Sequence, residues 1–195
     1  ALLLSIFYGE QSAVRGFIGA IIITLIVAAI MYVLCRNAVK RFYAREGLVC
    51  VGMSWIALSI MGCLPFFISR EIPDFLDALF EIVSGFTTTG SSILTDVEAL
   101  SHGLLYWRSF SHWLGGMGVL VFLLAVVTRD RGGSGFTMHI LRAESPGPNV
   151  GKLVPKMHTT ARILYVIYVL LTIINVVFLL FGGMPVFEAV CTAMG

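Results

Sequence analysis

The hydrophobic positions of this chain fall into long unbroken blocks instead of the short alternations of amphipathic helices and strands. Four blocks are long enough to cross a bilayer, since a membrane-spanning helix needs about 20 apolar residues. The sequence therefore predicts membrane spans at residues 17–35, 47–68, 104–127 and 163–182. We also expect that the chain opens with the end of an earlier helix, in the stretch ALLLSIFY.

A shorter apolar segment, residues 74–86, lies between the second and third spans. As a helix it reaches only about 20 Å, at about 1.5 Å per residue, which is too short to cross the bilayer. Asp74 follows Pro73 and is a good N-cap, and the helix dipole favours Asp77 in the first turn. We predict a short helix that enters the membrane from one face and ends partway through. Such re-entrant segments are tolerated where they line a cavity or are covered by protein.

The charged residues indicate how these segments are oriented. Ten of the 13 Lys and Arg residues follow the first span or lie between the third and fourth spans. Six of the 11 acidic residues lie between the second and third spans. Because cytoplasmic loops carry an excess of Lys and Arg, we expect residues 36–46 and 129–160 to be cytoplasmic and residues 70–103 to be extracytoplasmic.

The composition excludes the main alternatives to a membrane protein. Hydrophobic residues make up 58% of the chain and charged residues 12%, whereas a soluble domain carries about 25% charged residues. A chain this apolar neither keeps a hydrated surface nor stays disordered in water. The net charge of +2 is too small to indicate a nucleic-acid partner. The predicted fold class is therefore all-α transmembrane, surrounded by the lipid bilayer.

A run of small polar residues, Thr87 to Ser92, follows the short helix. It has no bulky or charged side chain, so it can stay extended and present successive backbone carbonyls to a permeating ion. The C-terminal end of a helix also carries a partial negative charge that suits a cation. Gly90 supplies backbone freedom and room for a close approach. We predict a pore loop with a selectivity filter, and a plain extracytoplasmic turn is the alternative.

A pattern in the short helix recurs 107 residues later. Phe80-Glu81-x-Val83-Ser84 returns as Phe187-Glu188-x-Val190-Cys191, and a proline stands before each copy. A span, a pore helix, a filter and a second span therefore form one repeat, and we expect a longer chain to complete a ring of repeats. The predicted divisions are the leading helices with a basic linker, the first pore repeat, a cytoplasmic loop, and the start of a second repeat, at residues 1–46, 47–128, 129–160 and 161–195.

Three residues are candidates for supporting the filter. Glu81 and Glu188 occupy equivalent places near the base of the two short helices, where we expect each to hydrogen-bond the filter backbone. His112 lies inside the third span, where a histidine is a functional candidate. Packing within the helix bundle and proton relay both remain open for this side chain.

Other polar and small residues near the third span receive simpler interpretations. Arg108 is expected to extend its side chain to the outer membrane interface. The glycines at 115, 116 and 118 are expected to let the short helix or the filter come close. His102 is expected to be a loop residue without a role.

Three stretches carry a family resemblance: DALFEIVSGFTTTGSS, WRSFSHWLGGMGVLVFLLAV and LRAESPGP. They resemble the Trk/Ktr/HKT superfamily of potassium transporters, in particular the N-terminal part of a TrkH-type pore-forming subunit, over residues 45–195. The resemblance implies K⁺ as the transported ion, no covalent cofactor, and four repeats around one pore. It places the filter at Thr87, Thr88, Thr89 and Gly90, followed by Ser91, with the Thr88 and Thr89 carbonyls as the K⁺ ligands. Glycine at position 90 implies a preference for K⁺, because some plant relatives with serine there pass Na⁺.

The resemblance also implies partners and a location. It implies a homodimer in the cell (inner) membrane, seated on a cytoplasmic ring of nucleotide-binding regulatory proteins of the TrkA type. The basic loop at 129–160 is then a docking surface as well as a topology signal. We expect no enzyme activity. Two alternatives stay open: a symporter that couples K⁺ to H⁺ or Na⁺ by alternating access, and an intramembrane enzyme that uses His112.

Overall fold

The computed structural model describes residues 1–36, 44–118 and 157–195. These parts of the chain are helical and contain no strand, which confirms the all-α prediction for them. The helices are α1 (Leu2–Phe7), α2 (Gln11–Cys35), α3 (Ala44–Ser69), α4 (Phe75–Phe86), α5 (His102–Met117), α6 (Met157–Phe181) and α7 (Val186–Met194).

Within the described ranges, three helical segments are long and apolar enough to cross a bilayer: Gln11–Cys35, Gly52–Ser69 and Arg162–Phe181. They correspond to the first, second and fourth predicted spans. No residue of Arg162–Phe181 is buried within the chain, which suits a helix surrounded by lipid. The third predicted span begins with α5, and its remainder lies outside the described residues. The same is true of most of the two segments predicted to be cytoplasmic.

The chain forms two compact units. The first unit contains α1, α2, the second half of α3, all of α4 and most of α5. The second unit contains α6 and most of α7, together with the first half of α3 and the end of α5. The candidate filter and its surroundings belong to the first unit.

Small residues set the close packing inside the first unit. A Cβ on Gly16 of α2 would lie 2.6 Å from the carbonyl oxygen of Pro65 in α3. A Cβ on Gly62 of α3 would touch Ile82 and Phe86 of α4 at 3.0 and 3.1 Å. These glycines allow neighbouring helices to approach closely, as is usual between membrane helices. The short helix α4 is therefore held against a long, apolar helix.

The start of α4 follows the sequence prediction. Asp74 has an extended backbone, and its carboxylate accepts hydrogen bonds from the backbone N–H groups of Leu76 and Asp77 at 2.7 and 3.4 Å. Asp77 also lies in the first turn, where its negative charge favours the N-terminus of the helix. The predicted N-cap is confirmed, and α4 ends at Phe86 after 12 residues.

Candidate functional site

The end of α4 is a capping motif that begins the candidate filter. The backbone N–H of Thr88 donates to the Gly85 carbonyl, and that of Thr89 donates to the Ser84 carbonyl, each at 3.0 Å. This pair of bonds defines a Schellman motif, whose left-handed residue is Thr88 with φ +55°. Glycine is the usual residue at that position, because a β-branched side chain is strained there.

The Thr87–Ser92 run is not extended over its whole length, contrary to the prediction. The φ angle is −85° at Thr87, +55° at Thr88 and +74° at Gly90. The cause is the helix end, since the last carbonyls of α4 need donors and the chain turns back to supply them. The chain therefore turns at the end of α4 before it continues to Gly90.

Three carbonyl groups of this run are available to an ion. Among the described residues, none donates a hydrogen bond to the carbonyl oxygen of Thr88, Thr89 or Gly90, and all three residues are exposed. A Cβ on Gly90 would meet nothing within 4 Å. Glycine is thus favoured at position 90 by its positive φ, and the close approach expected there stays a prediction.

Two side chains of α4 hold the returning chain. The Ser84 hydroxyl donates to the Ser91 carbonyl at 2.5 Å, so this carbonyl is already engaged. One turn earlier, the Glu81 carboxylate accepts hydrogen bonds from the Ser92 hydroxyl at 3.0 Å and from the Ile93 backbone N–H at 3.1 Å. The run is therefore fixed to α4 at both ends, by the capping motif before Gly90 and by these side chains after it.

The buried carboxylate of Glu81 is paired with Arg108 of α5. Glu81 is 1% exposed, and the Arg108 Nε donates to its Oε1 at 2.5 Å. The Arg108 side chain is 14% exposed, so the expectation that it extends to the membrane interface is wrong. The physical reason is that a buried carboxylate is costly without a nearby cation. The signal in the sequence was that each residue stood alone among apolar neighbours, where such charges usually pair with one another.

His112 follows Arg108 by about one helical turn and lies at the contact between α4 and α5. It is 9% exposed, and its Nδ1 is 3.0 Å from the Arg108 carbonyl oxygen. A Cβ on Gly85 would clash with the Ser111 hydroxyl and lie 3.3 Å from the His112 Nδ1. Gly85 is therefore a close-contact residue between these helices. Gly116 had been expected to let the short helix or the filter come close. A Cβ on Gly116 would instead lie 2.6 Å from the Tyr168 hydroxyl, so the close contact is with Tyr168.

Glu188 has different surroundings from Glu81. It lies in the first turn of α7 and is exposed. Glu81 contacts residues that follow it by 11, 12 and 27 positions. The same offsets from Glu188 fall beyond residue 195.

A second group of polar contacts lies at the start of α5, where the sequence had suggested none. The Glu10 carboxylate accepts from the backbone N–H groups of His102 and Gly103 at 2.8 and 3.1 Å, and it pairs with the His102 Nδ1 at 2.8 Å. The Tyr8 ring stacks on the His102 ring at 4.1 Å. Burial disfavours the charged form of Glu10, but the hydrogen bonds from His102 and Gly103 outweigh it and lower the pKa of this carboxyl. The expectation that His102 has no role is wrong.

The chain matches a known family over nearly its whole length. The model of the family described as "TrkH: Cation transport protein" matches residues 14–195. The chain is 36% identical over 184 residues to the Trk system potassium uptake protein TrkH of Salmonella typhimurium, covering 93% of this chain. It is 35% identical over 193 residues to the Trk system potassium uptake protein TrkG of Escherichia coli, covering 97% of this chain.

A solved structure is also similar. The crystal structure of the potassium transporter TrkH from Vibrio parahaemolyticus superimposes with a TM-score of 0.74 at 29% identity, covering 98% of this chain. The chain spans 37% of that structure, and 37% and 39% of the Salmonella and Escherichia relatives. It thus corresponds to a little over a third of each relative.

Proposed function

Because the chain belongs to the TrkH family of cation transport proteins, we propose that it is the N-terminal part of a pore-forming subunit for K⁺ uptake. The relatives are named as potassium uptake proteins. In this proposal K⁺ is the transported substrate, and Thr87, Thr88, Thr89, Gly90 and Ser91 form one wall of its selectivity filter. The chain acts as a transporter, not as an enzyme.

One observation carries this proposal: the backbone from Thr88 to Gly90. Its carbonyl groups receive no hydrogen bond from the described residues, while the chain before and after it is tied to α4. A dehydrated K⁺ ion needs backbone carbonyls that replace its water shell and keep their places. In this proposal the Thr88 and Thr89 carbonyls replace the water shell of the ion, and the hydrogen bonds to α4 keep these carbonyls in place. Ser91 helps to hold the run in place, because its carbonyl accepts a hydrogen bond from the Ser84 hydroxyl.

The proposal includes an architecture of repeats. Residues 1–46 are leading helices with a basic linker, residues 47–128 the first pore repeat, residues 129–160 a cytoplasmic loop, and residues 161–195 the start of a second repeat. Further repeats close the pore in the full-length protein. The subunit forms a homodimer in the inner membrane and rests on a cytoplasmic ring of nucleotide-binding proteins of the TrkA type, for which the basic loop is the docking surface.

Coupled symport is the second candidate function. A symporter moves K⁺ together with H⁺ or Na⁺, so its flux depends on the gradient of the second ion, whereas a pore follows the K⁺ gradient alone. His112 is the residue with which a proton would be expected to interact. Its Nδ1 lies near a backbone carbonyl of its own helix, which favours packing and filter support over a proton relay. An intramembrane enzyme that uses His112 is the least favoured candidate.

The test is ion flux through the full-length protein in liposomes, with its regulatory partner present. We expect K⁺ flux that exceeds Na⁺ flux in the wild type, and a lower K⁺/Na⁺ ratio in the Gly90→Ser variant. Serine adds a side chain at a φ of +74°, and the resulting backbone shift would displace the neighbouring carbonyls.

The matched control is Gly9→Ser. Gly9 has a φ of +71°, and an added Cβ there would also meet nothing within 4 Å, but Gly9 lies in the turn between α1 and α2. It therefore carries the same backbone strain outside the filter, and its K⁺/Na⁺ ratio should equal that of the wild type. An equal change in both variants would return the Thr87–Ser92 run to a plain outer turn. An absence of any cation flux would overturn the pore proposal.

A further inference from the structure

We infer that Arg108 is a positioning residue for ion selectivity, which acts on the filter through Glu81. This inference rests on the proposed function and adds to it a residue of α5 that does not touch the filter run itself. The chain of contacts runs from the guanidinium of Arg108 to the Glu81 carboxylate, and from there to Ser92 and Ile93.

Both oxygens of the Glu81 carboxylate are engaged in hydrogen bonds. Its Oε1 accepts from the Arg108 Nε and the Ser92 hydroxyl, and its Oε2 accepts from the Ser92 hydroxyl and the Ile93 N–H. The Ser92 hydroxyl in turn accepts a hydrogen bond from the Leu94 backbone N–H at 3.1 Å. The chain just after the filter is therefore attached to one side chain of α4, and the orientation of that side chain depends on α5.

The charge of Arg108 keeps Glu81 in this state. Glu81 has essentially no contact with solvent, and a buried carboxylate that loses its cation is strongly destabilised, so its side chain moves or draws in water. That movement alters the hydrogen bonds to Ser92 and Ile93, and with them the spacing of the carbonyls that precede them. Selectivity between K⁺ and Na⁺ depends on the number and arrangement of such carbonyls.

A purely structural role for Arg108 makes a different prediction. If the ion pair only fastened α5 to α4, its loss would lower the amount of folded protein without changing which ion passes. If Arg108 only attracted or repelled ions, its effect would not depend on Glu81. The side chain is 14% exposed and is directed at Glu81, which favours a role through that carboxylate.

The experiment measures the K⁺/Na⁺ permeability ratio of the full-length protein with its partner in liposomes. The variants are Arg108→Gln, Glu81→Gln and the double variant. We expect the ratio to fall about tenfold in each single variant, and by no more than that in the double variant, because both changes break the same chain of contacts. Arg108→Lys keeps the charge and should recover part of the ratio. The control is Arg15→Gln, which removes an exposed arginine of α2 and should leave the ratio unchanged.

Several results would overturn the inference. A wild-type ratio in Arg108→Gln would show that this residue does not act on selectivity. A fall of about a hundredfold in the double variant would show that the two residues act independently. If the single variants do not fold, the double variant is used instead, because it leaves no unpaired buried charge. A wild-type K⁺/Na⁺ ratio in the double variant would overturn the inference, and a lowered ratio would support it. Absence of K⁺ flux in the wild type would instead overturn the proposed function, on which this inference depends.

Discussion

The helices α4 and α7 carry the same Phe-Glu-x-Val pattern but place its glutamate in different surroundings. Glu81 of α4 is 1% exposed and paired with Arg108, whereas Glu188 of α7 is exposed. The contacts of Glu81 come from segments that follow α4 in the chain. The burial of Glu81 therefore depends on the Thr87–Ser92 run, on Ile93 and on α5, which supply its partners.

Two further pairs of positions exchange glycine and threonine between the copies. At the 107-residue offset, Gly85 corresponds to Thr192, and Thr88 corresponds to Gly195. The first copy therefore has glycine where α4 touches α5, and threonine at the left-handed position that usually holds glycine. The residues that suit close packing and capping have changed places between the two copies. Each exchange can be tested by moving the residue of one copy into the other.

The largest expected effect comes from removing the buried carboxylate. Glu81→Ala leaves Arg108 buried without its partner and should lower the free energy of unfolding by about 3 kcal/mol or more. Denaturant titration of the full-length protein in detergent would measure it. We expect a comparable loss for Glu188→Ala, because the repeat proposal gives Glu188 equivalent partners in later segments. A loss within about 0.5 kcal/mol, typical of surface positions, would break that equivalence.

A smaller loss is expected from Gly85→Thr, which gives α4 the residue that α7 carries. The new Cβ would meet the Ser111 hydroxyl and lie 3.2 Å from the Ser111 Cβ, and such overpacking costs about 1–3 kcal/mol. The same titration would detect it. The reciprocal change, Thr192→Gly, replaces a residue of α7 with glycine and should cost about 1 kcal/mol or less. Equal losses in the two variants would contradict the difference in packing.

Thr88→Gly should raise stability, because it removes a β-branched side chain from a φ of +55°. The expected gain in the free energy of unfolding is up to about 1 kcal/mol, since glycine also adds entropy to the unfolded chain. Thr89→Gly is the matched control, and it should be destabilising because Thr89 is not left-handed. A loss of stability in Thr88→Gly would show that the left-handed backbone at this residue carries no strain.

The smallest effect concerns a carboxylate outside the Thr87–Ser92 run. The pKa of Glu10 is lowered below its ordinary value of 4.5, mainly through its bonds with His102 and against the effect of burial. Its contribution to stability is therefore present above that value and is lost as the pH falls through the lowered pKa. We expect less than about 1 kcal/mol, because the pair is partly exposed.

Thermal unfolding at pH 6 and at successively lower pH would show the Glu10 contribution. Glu10→Gln should flatten the decline in this range, whereas the same change at the exposed Glu98 should leave it in place. Identical pH profiles for wild type and Glu10→Gln would contradict the assignment.

The helices and the start of α4 were predictable because their signals are local. Apolar length identified three spans that the described residues contain, and Asp74 marked the N-cap of α4. The turn after α4 was predicted as extended because the absence of bulky side chains was the only signal considered. The last carbonyls of a helix need hydrogen-bond donors, and this signal is also local. It determined the left-handed conformation of Thr88, whose N–H bonds the Gly85 carbonyl.

The polar contacts between distant segments were not predictable in the same way. Glu81 and Arg108 are 27 positions apart, and Glu10 and His102 are 92 positions apart. No periodicity along the chain relates them, so the partner of each charge is known only once the helices are packed. From the sequence, Glu81 was expected to hydrogen-bond the filter backbone and Arg108 to reach the membrane interface, so the pairing of the two was not predicted.

Anomalous X-ray scattering tests most directly whether the Thr88 and Thr89 carbonyls bind K⁺. Crystals of the full-length protein would be grown with thallium(I) in place of K⁺, because its scattering identifies the ion and its charge is the same. We expect an anomalous peak in contact with the carbonyl oxygens of Thr88 and Thr89. Strong peaks elsewhere along the pore with none at these two residues would contradict it.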